Sequence, residues 1–381
     1  MMSILPTQTI FSFIQEDLQE KMVFLSGPRQ VGKTTLSQRF IHNYYPGHPA
    51  YLNWDLKEHR DRVRNKEWSK AEKLIIFDEI HKFRGWQNLI KGYYDTLKDI
   101  HAFLITGSAR LDLYRKGGDS LLGRYRYYRL HPYSLPEIGI SEKNFSDLLI
   151  YGGFPEPLSK KDPRTLRLWH QNRLNKLIRT DIRDIGNIKE IDKLELMAEE
   201  LPNRIGSPLS LKSLAEDLEV DPKTIKRWIE SLNTLYYCFQ IAPYGAPKIR
   251  AVKKEKKIYL WDWSQIENEG LRFENLVASH LLKFCHHLED TQGYKMELRY
   301  IRDTDKREVD FVVIKNKVPL FAVECKLKER SISPNIIYFN ERLKIPKFYQ
   351  VHSDLNLMER QVTSNISIVP FDKFCLYEKL V

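Results

Sequence analysis

Cysteine is scarce in this chain: Cys238, Cys285, Cys325 and Cys375 are the only four in 381 residues, and none has a close partner in sequence. That spacing excludes a disulfide framework or a cysteine zinc site, and isolated thiols of this kind read as small core residues in a reducing compartment. Long apolar runs are also missing. Runs such as Leu74 to Phe77 fall far short of the roughly 20 residues a membrane span takes, so no membrane partner is expected. The first residues, Met1-Met2-Ser3-Ile4-Leu5-Pro6, lack a basic start followed by an apolar stretch and a cleavage site, which predicts a cytoplasmic protein. No low-complexity segment, solenoid-length repeat or block of one charge is found.

Basic residues exceed acidic ones, giving a net charge of +11. The excess is spread along the chain, so a basic surface has to be assembled by folding; it favours an acidic partner such as DNA, with simple solubility the alternative. The length suggests two or three domains at roughly 150 residues each.

Residues 21 to 110 alternate short apolar runs with amphipathic stretches. Met22 to Ser26, Leu74 to Phe77 and Ala102 to Thr106 predict buried parallel strands. The first runs directly into Gly27-Pro28-Arg29-Gln30-Val31-Gly32-Lys33-Thr34-Thr35, which fits the phosphate-loop pattern G-x-x-x-x-G-K-[ST]. Backbone N–H groups of such a loop close around the β-phosphate of ATP, Lys33 neutralises the β- and γ-phosphates, and the Thr34 hydroxyl is placed on Mg²⁺. The second strand ends in Asp78-Glu79. Asp78 is expected on Mg²⁺, mostly through water, and Glu79 is expected to polarise the attacking water. After the third strand, Ser108 is the first choice to sense the γ-phosphate and Thr106 the second. Arg124 and Arg110 are candidates to complete the site in cis or from a neighbouring copy.

Residues 165 to 235 have helical spacing. Ser210 to Leu218 and Asp221 to Leu232 predict two helices across a tight turn, followed by a strand from Tyr236 to Pro243, as in a winged helix-turn-helix. Lys223, Lys226 and Arg227 lie on the second helix, with chemistry suited to phosphates. Beyond Ile258 the pattern predicts a helix from Glu269 to Phe284 and strands at Met296 to Ile301, Val309 to Ile314 and Leu320 to Cys325.

The motifs Gly-Pro-Arg-Gln-Val-Gly-Lys-Thr-Thr, Phe-Asp-Glu-Ile-His-Lys, Thr-Gly-Ser-Ala-Arg, Leu-Leu-Gly-Arg and Tyr-Gly-Gly-Phe-Pro-Glu resemble the AAA+ superfamily ATPases of the archaeal-ATPase type over nearly the whole chain. The resemblance implies an α/β multidomain protein. A P-loop AAA+ parallel sheet with helices would span 1–160, a helical winged-helix segment 161–250, and a restriction-endonuclease-like, PD-(D/E)XK nuclease-like domain 251–381. It also implies ATP hydrolysis, assembly of copies through the AAA+ domain, and the roles given above for Lys33, Thr34, Asp78, Glu79, Ser108 and Arg124.

Within the last segment, strand alternation puts Glu324 and Lys326 on one face, with Val323 and Cys325 toward the core. Asp310 and Glu324 on adjacent strands, with Glu274 from the preceding helix, form a candidate Mg²⁺ or Mn²⁺ site, and Lys326 can orient or deprotonate a water. Glu274, Asp310, Glu324 and Lys326 match the PD-(D/E)XK constellation. The adjacent His286-His287 pair reads as solvated. Two functions therefore compete. One is an ATP-driven enzyme coupling nucleotide turnover to DNA cutting; the other is a nucleotide-operated switch whose last domain binds DNA or a protein without cutting.

Overall fold

The computed structural model describes residues 9–107, 121, 123–181, 190–245, 256–328 and 331–381. The chain divides into two compact units, Met1–His131 and Pro132–Val381.

The first unit is built on a five-stranded sheet: β1 (Met22–Ser26), β2 (Tyr51–Asn53), β3 (Leu74–Asp78), β4 (Ala102–Gly107) and β5 (Tyr125–Arg129). Its order is β2-β3-β4-β1-β5 and every pairing is parallel. Both faces are covered, which is why the three expected strands read as unbroken apolar runs rather than alternating ones. Met22, Phe24, Ile75, Phe77, Phe103 and Ile105 share one core with Trp86, Ile90 and Tyr93 from the helix Trp86–Leu97, while Val23, Leu25, Ile76 and Leu104 are buried on the other face. Strands β2 and β5 were not expected: β2 has three residues, and the sequence Tyr-Arg-Tyr-Tyr-Arg of β5 hides its pattern behind arginines that snorkel.

The second unit begins with helices that include Glu142–Tyr151 and Pro163–Lys176. The expected pair follows as Leu211–Asp217 and Pro222–Thr234. The second of these starts at Asp221, whose carboxylate accepts from the Lys223 N–H at 2.7 Å, with Pro222 at the first helical position. It buries Ile225, Trp228, Ile229 and Leu232 and leaves Lys223, Lys226 and Arg227 exposed.

Eight strands then form one mixed sheet: β6 (Cys238–Pro243), β7 (Lys257–Leu260), β8 (Met296–Arg302), β9 (Glu308–Lys315), β10 (Val318–Lys326), β11 (Phe348–His352), β12 (Arg360–Thr363) and β13 (Ile366–Pro370). The order is β12-β13-β11-β10-β9-β8-β6-β7. The expected boundary at 250 falls inside this sheet, because β6 pairs with β7 on one side and with β8 on the other. The helix Glu269–Gln292 buries Phe273, Leu276, Val277 and Leu281. It is longer than expected and carries His286 and His287 half-buried rather than solvated; burial lowers the His287 pKa. Cys325 is also half-buried, whereas Cys238, Cys285 and Cys375 are buried. No helix among the described residues is long and apolar enough to cross a membrane.

Candidate functional site

The phosphate loop follows β1 and turns on residues with positive φ: Gly27 at 149°, Gln30 at 62° and Gly32 at 100°. At Gly27 a Cβ would overlap the Leu130 carbonyl oxygen, so glycine is required there by space as well as by conformation. Lys33 is buried and its ammonium donates to the carbonyls of Gly27 at 3.0 Å and Pro28 at 2.7 Å, bracing the loop that it would share with a phosphate. Pro28 and Val31 are buried, Arg29 is half-buried, and Gln30, Thr34 and Thr35 are exposed.

Asp78, at the end of β3, lies at the centre of a hydroxyl network. Thr34 donates to its Oδ2 at 2.9 Å, Tyr51 donates to the same oxygen, and Thr106 donates to Oδ1. Strand order explains the convergence: Tyr51 and Thr106 come from the two strands flanking β3, and Thr34 from the helix after β1. Burial, and then the Asp78 charge, drive the Tyr51 pKa upward, so that its hydroxyl remains a donor. A hydroxyl and a buried carboxylate side by side are hard oxygen donors, and they fit Mg²⁺ held partly through water. Thr106 is therefore a tie to Asp78. Ser108 and Arg110 lie outside the described residues.

Glu79 follows with φ 59° and ψ 19°, a left-handed conformation uncommon outside glycine. Its Oε2 is 3.3 Å from Lys82 Nζ and 3.9 Å from His81 Nε2, and Lys82 also contacts Asp55 at 2.7 Å. Burial alone would raise the Glu79 pKa; the charges of His81, Lys33, Lys82 and Arg29 outweigh it and the pKa is lowered. An ionised carboxylate held between cations beside the loop can orient a water. Sequence reasoning gave no role to Tyr51 and Asp55, which belong to no motif, or to Lys82, which closes the motif Phe-Asp-Glu-Ile-His-Lys.

Arg124 is corrected in one respect. It is bonded to Asp95 at 2.7 Å, and it precedes Tyr125, which pairs with Met22 at the start of β1, while the phosphate loop leaves β1 at Ser26. Four strand steps, roughly 13 Å, separate those ends, so a role in cis is ruled out by the register.

In the second unit the expected carboxylates do converge. Asp310 Oδ2 accepts from the Cys325 N–H at 2.8 Å, Tyr259 donates to Glu274 Oε1 at 2.7 Å, and Lys326 Nζ is 3.2 Å from Glu324 Oε1. The centre, however, holds a lysine that sequence reasoning missed. Lys257 is fully buried, with its Nζ 2.5 Å from Glu308 Oε1 and 3.6 Å from both Glu274 Oε1 and Asp310 Oδ1. The alternation Glu308-Val309-Asp310 was a usable signal for the paired acids; Lys257 was hidden in the basic stretch before β7. Burial, then Asp310, push the Glu274 pKa up to about 7 and that of Glu324 up to about 8. Burial works against the Lys257 charge, yet the three carboxylates raise its pKa.

Lys257 thus places a buried cation against Glu274 and Asp310 of the expected metal set. Among the described residues no group of three or more His, Cys, Asp or Glu side chains is arranged to hold a metal. Asp310 Oδ1 lies 3.6 Å from the Lys257 ammonium, and Oδ2 accepts a backbone N–H. A divalent ion about 4 Å from an ammonium meets a repulsion on the order of 8 kcal/mol at an effective dielectric of ~20, which offsets the attraction of about one of the surrounding carboxylates.

Residues 19–139 match the family model of an AAA domain. Residues 142–266 match a domain of unknown function, DUF8612, and residues 269–374 another, DUF4143. The chain is 26% identical to an uncharacterized protein of Methanocaldococcus jannaschii, MJ1637, over 97% of this chain and 87% of that one. It is 25% identical to an uncharacterized protein of Mycobacterium tuberculosis, Rv2008c, over 63% of this chain and 54% of that one. Among solved structures it is similar to the RuvB Holliday junction branch migration motor of Thermotoga maritima, at TM-score 0.28 and 18% identity over 64% of this chain and 93% of that one. A signal-transduction ATPase with numerous domains from Pyrococcus horikoshii gives TM-score 0.25 and 12% identity over 75% of this chain and 48% of that one. The first unit is an AAA-type P-loop ATPase domain.

Proposed function

We propose that this chain is a nucleotide-operated switch: the AAA domain binds and hydrolyses MgATP, and the second unit holds DNA without cutting it. The observation that carries the nucleotide half is the Thr34–Asp78 contact at 2.9 Å beneath a loop braced by Lys33, with Glu79 next in the chain. Bound Mg²⁺ supplies charge neutralisation at the phosphates. Lys33 grips the β- and γ-oxygens, Thr34 and Asp78 hold the metal, and Glu79 aligns a water for in-line attack on the γ-phosphorus. Arg124 serves the phosphate loop of a second copy in this reading, and copies assemble through the AAA domain.

DNA is favoured by the net charge of +11 and by the exposed Lys223, Lys226 and Arg227 on a helix that precedes the β6–β7 hairpin. Binding of a labelled duplex, followed by anisotropy across a salt series, tests this. Lys223→Glu and Arg227→Glu are each expected to weaken binding and to flatten the log–log salt slope by about 1 per lost phosphate contact; unchanged slopes would remove this helix from the interface. Linear and circular DNA incubated with Mg²⁺ or Mn²⁺, with and without ATP, should remain intact. Metal-dependent cutting that disappears in Asp310→Ala would replace the switch by a nuclease.

A further inference from the structure

We propose that Lys257 is a resident cation of the second unit, occupying among Glu274, Glu308 and Asp310 the position in which a divalent ion would otherwise be held, so that this cluster is complete without metal. The inference deepens the non-cutting reading of that unit and rests on it only for the statement that no metal is needed there.

Three elements converge on the ammonium. Lys257 opens β7, Glu308 and Asp310 share one face of β9, and Glu274 comes from the helix Glu269–Gln292. Nothing about the lysine is solvent-exposed, and the Tyr300 ring, 5.6 Å from Nζ, closes the remaining side with a face that favours a cation. Arg302 takes the other Glu308 oxygen at 2.8 Å, leaving Glu308 Oε1 to Lys257. A buried lysine is tolerated where carboxylates pair with it. A buried carboxylate group, in turn, is tolerated where one positive charge is shared among its members. Each side of the cluster explains the other. The chemistry left when the lysine is removed is a set of carboxylate oxygens able to close on a hard divalent cation, an arrangement they do not hold with the lysine in place.

Mn²⁺ bound to nucleotide-free, full-length protein is counted by electron paramagnetic resonance in wild type, Asp310→Asn and Lys257→Met. Wild type and Asp310→Asn are expected to bind the same number of ions, because no ion depends on Asp310. Lys257→Met is expected to bind one more per chain, and Mn²⁺ should raise its unfolding midpoint while leaving that of the wild type unmoved. Loss of an ion in Asp310→Asn relative to wild type overturns the proposal, as does a folded Lys257→Met with no additional ion. If Lys257→Met does not fold, the comparison of wild type with Asp310→Asn decides alone. DNA cutting with an unchanged ion count would end the switch reading and leave this one standing.

Discussion

Lys33→Ala is expected to lower ATP affinity by about two to three orders of magnitude, read by calorimetry with MgATP or a non-hydrolysable analogue. The ammonium is buried and already spans the carbonyls of Gly27 and Pro28. Alanine therefore removes the cation for the phosphates together with the brace that holds the loop in shape. Hydrogen bonds to charged groups contribute about 1.5–3 kcal/mol each, and two at the lower end of that range, about 3–4 kcal/mol together, convert to a loss of that size. Lys33→Arg should not restore binding, since a planar fork needs more room than a compact ammonium. Affinity within a few-fold of wild type in the alanine variant would show that the loop is not the nucleotide site.

The second large effect falls on turnover. Glu79→Gln should bind MgATP as wild type does and release phosphate about 10²–10⁴ times more slowly, the usual range for a positioned acid–base group. The amide keeps size and shape and loses the charge that Lys82 at 3.3 Å, together with Lys33 and Arg29, stabilises. The same cations set the pH behaviour. Because the folded pKa of Glu79 is depressed, the ionised form persists as pH falls, and hydrolysis should decline on the acid side only below the ordinary carboxylate range. Lys82→Met, which removes one of those cations, should move that decline toward higher pH. Unimpaired turnover in Glu79→Gln would take this residue out of the mechanism.

Much of this was legible because the physics is local. A buried parallel strand must be apolar on both faces, so β1, β3 and β4 stand out as runs, and a loop that approaches a phosphate needs glycine where Gly27 and Gly32 stand. The helix beginning at Pro222 was equally plain from its cap. What could not be read was set by distant pairings. Tyr51 reaches Asp78 only through the β2–β3 register, and the position of Arg124 relative to the loop follows from β5 pairing with β1 in parallel. The carboxylates of the second unit were recognised by spacing, but their chemistry depends on Lys257, 53 positions before Asp310 by residue number, brought in by a strand at the far edge of the sheet. A motif states which groups meet; it does not state which counter-charge arrives with them.

The continuity of the eight-stranded sheet also constrains how such a chain can be recombined. β7 has β6 as its sheet neighbour, and β6 meets β8 through Ala242 and Pro243. A genetic exchange that joined foreign sequence at residue 251 would import a β7 whose partner stayed behind and would bare the edge of β8, an invitation to pairing between molecules. Crossovers that keep the second unit whole, near residue 132, avoid both faults. Exchanges that cut between β6 and β7 are thus expected to yield chains that fold poorly and associate.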